Sequence, residues 1–413
     1  MAADSPSGEK VIAQRTGFFA RSGLSQAMVL VFALYCAATL WIVATDREDY
    51  QWDFRTYYLA GKAFAAGDDP YVLKSLQKHS EPNRVVDKPF LYPPLTLHLF
   101  AAVAKLSPAQ AYEIWLAVKL AMLCGLLWLW HRDLTPLRPA VLTVPFMLLA
   151  FNAALFWDLE AGNVTIQEQF LIWLGFAFLL RGGLWRFAIC IALAAQFKLL
   201  PQLLSVALLL LEPRRGLRPF LASWGLFGIG LGAGTALYPG YTREFFSAAA
   251  GLDELGHTNP CLRALVGDLL LQAHLPAGLA TAIYALMVIV IGAAAIRVLD
   301  RRRSEDGSRD NRFVWAYLCL TFALAAPRFK SYAYIQVLGP ALYFLRLPVP
   351  PGYMALDLAL AGALFPNAFN PMPGRALIDL VQNYSPWLGV LLLWLRANAS
   401  ARMGVETAPA IVD

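Results

Sequence analysis

Long apolar runs recur almost from one end of this chain to the other. A run of about 20 residues matches the hydrocarbon thickness of a bilayer, and a water-soluble domain cannot bury so many of them. Composition agrees, because 58% of the 413 residues are hydrophobic and 15% are charged. The runs lie near 26–45, 91–104, 109–130, 139–157, 164–180, 187–212, 219–238, 276–299, 313–327, 332–347, 352–366 and 384–397. They exclude a soluble or disordered chain and predict an all-α, polytopic integral membrane protein with about 12 transmembrane helices.

Arginines cluster in several of the polar breaks between the runs. Excess Lys and Arg mark cytoplasmic loops, so the basic residues behind the net charge of +6 indicate how the chain is oriented in the membrane. The positive charge is therefore no argument for nucleic-acid binding. We expect a cytoplasmic tail over 1–25, one membrane-embedded domain over 26–397 and a cytoplasmic tail over 398–413. Outer loops at 46–108 and 239–275 are expected to carry short surface helices, because the first of them is rich in aromatic residues.

Two runs do not fit a simple alternation of sides. The run 187–212 has to start and end on the cytoplasmic side, which predicts two half-spans that meet near Lys198 and Pro201. The run 91–104 is then a re-entrant or surface helix on the outer side. In the competing topology 91–104 is a full span and 187–212 a single span, and arginines are left outside. Both versions give about twelve crossings.

A carboxylate in an aromatic frame follows soon after the first run. Asp53 is flanked by Trp52 and Phe54, and Tyr57 and Tyr58 follow one helical turn later. Aromatic rings of this kind favour the boundary between lipid and water. A carboxylate at that boundary can act as a general base toward a hydroxyl group. The alternative is structural, with Asp53 capping the helix that contains the two tyrosines.

A lysine in the middle of an apolar run is the second signal. Lys198 lies far from either end of its run, where an unpaired lysine costs about 2.5–3.5 kcal/mol on insertion scales. Its compact charge suits an anionic phosphate, and a structural salt bridge is the alternative. Arg328 and Lys330 form a second cationic group at the outer edge, which favours either phosphate binding or a headgroup anchor.

Other polar residues at the outer edge are weaker candidates. Tyr92 precedes two prolines in a rigid turn, and the remaining candidates lie in short outer segments. Lys119 is expected to be structural, either pairing with Glu113 or extending toward the membrane surface. The five cysteines show no metal or redox spacing, so we expect no metal site.

At these positions the chain resembles glycosyltransferase family 87, a family of integral membrane enzymes of the GT-C class. The resemblance runs from about residue 51 to about residue 340. The family pattern has a tryptophan and a histidine late in the chain that this sequence lacks. The matching positions are Asp53-Phe54, Tyr57-Tyr58, Ala60-Gly61, Gly67, Pro70-Tyr71 and Tyr92-Pro93-Pro94, with looser matches at 160–163, 198–201, 259–261 and 326–332.

The resemblance implies a GT-C-like fold and an inverting transfer of a hexose, commonly mannose. The donor would be a polyprenyl-phosphate sugar, which is a co-substrate and not a cofactor, and the acceptor a lipid-linked or cell-envelope glycan. The expected address is the bacterial inner membrane, with the active site on its outer face. Asp53 would be the catalytic base, and Lys198, Arg328 and Lys330 would bind the donor phosphate. The expected substrate-binding residues are Tyr57, Tyr58, Tyr92, Glu160, Asn163, His257, Asn259, Arg263 and Tyr332.

A transporter or flippase of lipid-linked saccharides is the competing hypothesis, because transporters also have broken helices near the membrane midplane. The absence of an inverted repeat in the sequence and the acidic residue in its aromatic frame argue against it. A structural subunit of an envelope assembly is a third possibility. The sequence predicts contact with membrane lipid and does not indicate any protein partner.

Overall fold

The computed structural model describes residues 51–81, 85–135, 140–251, 255–276, 278–302, 310–347 and 376–402, together with Leu360 and Ala363. The described residues are predominantly helical and contain no strand, which confirms the all-α class. The predicted span 26–45 and most of the run 352–366 lie outside the described residues.

The helices follow the apolar runs closely. Short 3-10 turns occur at Leu200–Val206, Gly256–Thr258 and Ser331–Tyr334, and a π turn at Trp130–Leu134 extends the fourth helix. The α-helices are α1 (Trp52–Ala65), α2 (Leu73–Lys78), α3 (Thr96–Val103), α4 (Pro108–Leu129), α5 (Ala140–Ala161), α6 (Thr165–Leu180), α7 (Leu184–Phe197), α8 (Ala207–Leu211), α9 (Leu217–Leu237), α10 (Pro239–Ala250), α11 (Leu262–Gln272), α12 (Gly278–Arg301), α13 (Asn311–Ala325), α14 (Ile335–Arg346), α15 (Ala376–Asn383) and α16 (Ser385–Arg402).

Several helices have the length and apolar character of membrane spans. In the described part of the chain, α4 with its π turn, α9 and α12 each pass this test alone. The helices α5 and α6 meet at a bend of 113° and pass it only as a pair, so the candidates number 3, or 4 if the bent pair is one span. The helices α7 and α13 are apolar but shorter. The chain is an integral membrane protein, and the count of about twelve crossings stays a prediction.

Arginines tie several helix ends together at one end of the molecule. Asp133, after α4, forms ion pairs with Arg132 and with Arg181, the latter at 2.8 Å. The Nε of Arg312, at the start of α13, donates to the Asp133 carbonyl at 2.9 Å. We call this region, defined by Arg132, Arg181 and Arg312, the arginine end. The helix α6 leads away from it over 16 residues, or about 24 Å, to Thr165 at the other end.

The segment that contains Lys198 leaves the arginine end and returns to it. The helix α7 ends at Phe197, and Lys198 has an extended backbone with φ −136° and ψ 128°. The chain then turns back through a 3-10 helix with Pro201 in its first turn. On this returning arm, Gln202 donates to Ser223 at 3.0 Å, and Ser223 donates to the carbonyl of Ala188 at 3.1 Å. The predicted helix break is therefore present.

The two segments predicted to be outer loops contain short helices, as expected. The first holds α1, α2 and α3, and the second holds α10 and α11. The helix α3 has 8 residues, whereas a span needs about 20, so the competing assignment of 91–104 as a full span is wrong. A buried aromatic cluster joins α1, α3 and α4, with Phe54 stacked on Trp115 at 4.8 Å and Tyr57 4.9 Å from Phe100.

Candidate active site

The sharp corner between α5 and α6 is the base of the site. Lys119 of α4 donates to the carboxylate of Asp158 at 2.6 Å, to the carbonyl of Asp158 at 2.7 Å and to the carbonyl of Asn163 at 2.6 Å. The indole of Trp115 donates to the carbonyl of Gly162 at 2.8 Å. The Asp158 carbonyl also accepts from the backbone N–H of Gly162 at 3.0 Å, and the carbonyls of Gly162 and Asn163 lie past the end of α5. The helix α4 supplies hydrogen-bond donors to all three carbonyls and so holds the corner in place.

The partner of Lys119 differs from the expectation. Glu113 is exposed, whereas the side chains of Lys119 and Asp158 are both at 0% exposure and form an ion pair. A fully buried pair needs further hydrogen bonds to offset its lost hydration, and the two backbone carbonyls provide them. Lys119 is structural, as expected, but its partner is Asp158 and not Glu113.

The helix α1 brings Asp53 to this corner. The N-cap residue is Gln51, so Asp53 lies inside the first helical turn and does not cap the helix. Its Oδ2 instead accepts a hydrogen bond from Nδ2 of Asn163 at 2.7 Å, and the side chain is half-buried. The capping alternative is therefore wrong, although the carboxylate does lie at the positive end of the helix dipole.

Contacts on either side of Asp53 fix α1 to the corner. The backbone N–H of Gln51 donates to the carbonyl of Glu160 at 2.7 Å, and its side-chain amide donates to the carbonyl of Leu159 at 3.0 Å. Gly162 has a φ of +69°, and a Cβ there would overlap the Gln51 side chain and lie 2.9 Å from Cβ of Phe54. Only glycine allows this approach, which sets the distance between the two helices.

Two buried tyrosines complete the surroundings of Asn163. The hydroxyls of Tyr57 and Tyr92 are 2.6 Å apart, and Asn163 Nδ2 lies 3.0 Å and 3.3 Å from them. Burial raises the pKa of both phenols, and the negative charge of Asp53 adds to the shift. Both hydroxyls therefore keep their protons; one proton is shared between the two oxygens, which leaves one hydroxyl able to donate to a polar ligand.

A chain of hydrogen bonds leads from Asp53 to Lys198. The Oδ1 of Asn163 accepts from the hydroxyl of Thr165 at 2.8 Å and from its backbone N–H at 3.1 Å. The Thr165 hydroxyl in turn accepts from Nζ of Lys198 at 2.6 Å. Since this hydroxyl donates its one proton to Asn163, the direction of every bond is determined. Each donor points from the ammonium group toward the Asp53 carboxylate.

Lys198 also has an acidic partner that the sequence analysis did not predict. Its Nζ lies 2.9 Å from Oε2 of Glu168, whose side chain is 6% exposed against 26% for Lys198. The Tyr332 ring lies 5.2 Å from the Lys198 ammonium and 6.0 Å from that of Lys330. The structural alternative of a salt bridge is thus present. The exposed part of Lys198 still faces an aromatic and cationic surface.

A further cation, Lys88, lies beside Asp53. Electrostatic interactions couple Lys88 to Asp53 and to Lys330, and its ammonium lies 4.6 Å from the centroid of Trp52. Partial burial lowers the pKa of Lys88, and the charge of Asp53 opposes that shift. Lys88 therefore adds a positive charge within electrostatic range of the Asp53 carboxylate.

The second segment predicted to be an outer loop positions the cationic loop 327–334. The Oδ1 of the buried Asn259 accepts from the backbone N–H of Phe329 at 2.8 Å. The hydroxyl of Ser331 donates to the carbonyl of His257 at 2.7 Å. Asn259 was predicted to bind substrate, and its amide oxygen here holds the loop that carries Arg328 and Lys330.

The remaining predicted site residues are more scattered. The hydroxyl of Tyr58 donates to the carbonyl of Leu106 at 2.8 Å, toward α3. Within the described part of the chain, Oε2 of Glu160 is buried with no hydrogen-bond partner, and the side chains of His257 and Arg263 are exposed. The predicted residues that the structure brings together are Asp53, Tyr57, Tyr92, Asn163, Lys198, Lys330 and Tyr332.

Three residues of this group were missed by the sequence analysis. Glu168 carries the same signal as Lys198, because it is an ionisable side chain inside an apolar run. The same criterion, applied to acidic residues, identifies it. Thr165 and Lys88 have no comparable signal, because each acquires its partners only through the fold. Among the described residues, no group of three or more His, Cys, Asp or Glu side chains is placed to hold a metal ion.

Comparison with known proteins gives one family match. A family model described as glycosyltransferase family 87 matches residues 90–327, which is more than half of the chain. The match includes Tyr92, Asn163 and Lys198, whereas Asp53 precedes it and Lys330 follows it. Among solved structures the chain is similar to ArnT from Cupriavidus metallidurans in the apo state, with 13% identity, coverage of 92% of this chain and 78% of that chain, and a TM-score of 0.41. No curated protein matches the sequence significantly.

Proposed function

Since the chain belongs to glycosyltransferase family 87, we propose that it transfers a hexose, with mannose the first candidate, from a polyprenyl-phosphate donor. The acceptor is a lipid-linked or cell-envelope glycan on the outer face of the bacterial inner membrane. The donor lipid is a co-substrate, and the reaction needs no separate cofactor. The half-buried Asp53, joined to Lys198 through Asn163 and Thr165, is the observation that carries the proposal.

Asp53 acts as the general base. Its carboxylate takes the proton of an acceptor hydroxyl, and the hydroxyl oxygen attacks the anomeric carbon of the donor sugar. The bond between that carbon and the phosphate oxygen breaks, and its electron pair leaves with the polyprenyl phosphate. A single displacement of this kind inverts the anomeric configuration. Asn163 holds one carboxylate oxygen at 2.7 Å, which fixes the direction in which the base faces.

Cations stabilise the departing phosphate. Negative charge develops on the phosphate as the bond breaks, and fixed positive groups in a site of low dielectric are the most effective way to stabilise it. Lys198 and Lys330 share the Tyr332 ring, and Arg328 is on the same loop as Lys330. An incoming phosphate would share the Lys198 ammonium with Glu168. Lys88 adds a further positive charge on the Asp53 side.

Aromatic and amide groups are suited to the sugar. The hydroxyls of Tyr57 and Tyr92 lie at Asn163, beside the base, and the ring of Tyr332 lies 5.2 Å from the Lys198 ammonium. Aromatic faces pack against the apolar faces of pyranose rings, and the phenol hydroxyls can bond sugar hydroxyls.

The direct test is sugar transfer by the purified protein in liposomes. Polyprenyl-phosphate hexoses labelled in the sugar are offered with an extract of lipid-linked glycans, and nucleotide sugars serve as the control donors. We expect a labelled glycan product from a polyprenyl-phosphate donor and none from nucleotide sugars. Movement of labelled lipid across the bilayer without any product would contradict the proposal and support the flippase alternative.

A further inference from the structure

A cavity of about 380 Å3 lies at the arginine end, far from Asp53. It opens between two turns, one joining α6 to α7 and the other joining α8 to α9. The hydrogen bond from Ser223 of α9 to the carbonyl of Ala188 of α7, at 3.1 Å, holds the two turns side by side. Its lining includes Gly183, Trp185, Arg186, Arg215 and Pro219.

The charged side chains that line this cavity are positive. Arg186 comes from one turn and Arg215 from the other, and among the described residues that line the cavity none is acidic. The guanidinium of Arg186 lies 5.4 Å from the ring of Phe178, which limits its freedom without neutralising its charge. Both guanidinium groups line one cavity, and a guanidinium group can bind a phosphate through two N–H groups.

An exposed apolar strip leads away from the cavity along the helices. On α7, Trp185, Ile189 and Leu193 are 56%, 45% and 50% exposed, and their spacing of four residues places them on one face. On α9, Leu217 and Leu221 are 52% and 58% exposed. A free phosphate would leave this apolar strip uncovered, whereas an acyl chain attached to the phosphate would cover it.

We propose that this cavity binds the headgroup of an anionic phospholipid, with an acyl chain along the Trp185, Ile189 and Leu193 face. Trp185 is the side chain expected at the level of the headgroups. The arginine-rich end is the cytoplasmic one by the positive-inside rule, and anionic lipids are the lipids that basic residues attract at that surface. The site is separate from the proposed active site and does not depend on the transferase activity.

The test is native mass spectrometry of the full chain in neutral detergent with equal amounts of phosphatidylglycerol and phosphatidylcholine. We expect the protein to retain phosphatidylglycerol preferentially, and each of Arg186→Gln and Arg215→Gln to weaken that retention by about five-fold. The matched control is Arg214→Gln, which removes an exposed arginine of the same turn that does not line the cavity. It should retain phosphatidylglycerol like the unaltered protein.

A second measurement separates a lipid from a free anion. Phosphatidylglycerol should raise the thermal midpoint of the unaltered protein, and inorganic phosphate at the same concentration should not. Equal stabilisation by inorganic phosphate would overturn the lipid assignment. Equal loss of phosphatidylglycerol in Arg214→Gln and Arg215→Gln would show only a diffuse basic surface and would overturn the site. Thermal midpoints in lipid-free detergent confirm that the variants fold.

Discussion

At the scale of single residues, the charges of the candidate site come in pairs that the sequence did not reveal. Lys198 stood out because it lies inside an apolar run, but a position in a run cannot show which acid a lysine will meet. The fold supplies Glu168 from α6, one helix earlier in the chain, and Thr165 from the same helix. Asp53 was identified from its aromatic neighbours, and its contact with Asn163 is a long-range one.

The pairing of Lys198 with Glu168 leads to a prediction about stability. Lys198→Met leaves a carboxylate of 6% side-chain exposure without its partner, so the free energy of unfolding should fall by about 3–5 kcal/mol. The double variant Lys198→Met/Glu168→Gln should regain most of this loss, because no buried charge is left alone. Both variants should lose donor binding, and Glu168→Gln alone should keep it.

Denaturant unfolding in detergent and binding of a polyprenyl-phosphate sugar are the two measurements. Normal donor binding by the double variant would remove Lys198 from the phosphate site. Unaltered stability of Lys198→Met would show that the ion pair contributes nothing.

The hydrogen-bond chain through Thr165 leads to a second prediction. Thr165→Val keeps the shape of the side chain but removes the hydroxyl that joins Asn163 to Lys198. The Oδ1 of Asn163 then keeps only the backbone N–H of Thr165, so the orientation of Asn163, and with it that of Asp53, is less firmly fixed, and kcat should fall by about ten-fold with a smaller change in KM. Thr165→Ser keeps the hydroxyl and should retain most of the rate. Equal kcat values for Thr165→Val and the unaltered protein would show that the chain does not position the base.

At the scale of elements, the sequence predicted those helices and helix breaks that depend on a local pattern of apolar and polar residues. The apolar runs correspond to α4 to α7, α9 and α12 to α14, and the break at Lys198 and Pro201 is present because proline and a charge interrupt the run. The sequence placed residues 160–163 only in a short outer segment and gave no sign of a sharp corner between α5 and α6. The 113° bend at this corner depends on hydrogen bonds from Lys119 and Trp115 of another helix. The local sequence pattern around the bend cannot predict partners that come from a different helix.

The corner can be tested through its glycine. Gly162→Ala places a Cβ against Gln51 and Phe54 at a φ of +69°, which should lower the free energy of unfolding by about 1–3 kcal/mol and move α1 away from Asn163. The matched control is Gly67→Ala, where φ is +76° but nothing lies within 4 Å. Gly67→Ala therefore introduces the strain of a positive φ but no steric overlap with a neighbouring side chain.

Thermal unfolding and the transfer rate are measured for both glycine variants. We expect Gly162→Ala to lose far more activity than Gly67→Ala. Equal losses of activity would mean that the close contact between α1 and the corner does not matter for the site.

At the scale of the whole molecule, the contacts separate two ends that the charge pattern had assigned to two sides of the membrane. Arginines at the ends of α4, α6 and α13 meet at one end, and Asp53, Asn163 and Lys198 meet at the other. The sequence could predict this separation because lysine and arginine mark the cytoplasmic loops. It could not predict how the outer segments interlock, because the contact of Asn259 with Phe329 joins residues 70 positions apart.

Cysteine labelling in intact cells tests this orientation. In a background with Cys36 and Cys124 replaced by alanine, Lys74→Cys on α2 and Arg214→Cys at the arginine end each introduce one exposed thiol. A membrane-impermeant thiol reagent should label position 74 in intact cells and position 214 only after permeabilisation. Labelling of both positions in intact cells, or of 214 alone, would contradict the proposed orientation.

The most direct test of the whole account is the rate of sugar transfer by Asp53→Asn. The matched control is Asp69→Asn, an aspartate of the same outer segment whose Oδ1 accepts from the backbone N–H of Tyr71 at 2.9 Å, a bond that asparagine can keep. Asp53→Asn should keep its thermal midpoint and donor affinity but lose about 100- to 10,000-fold in transfer rate, while Asp69→Asn stays near the unaltered rate. A folded Asp53→Asn variant that transfers sugar at the unaltered rate would show that this carboxylate is not the base.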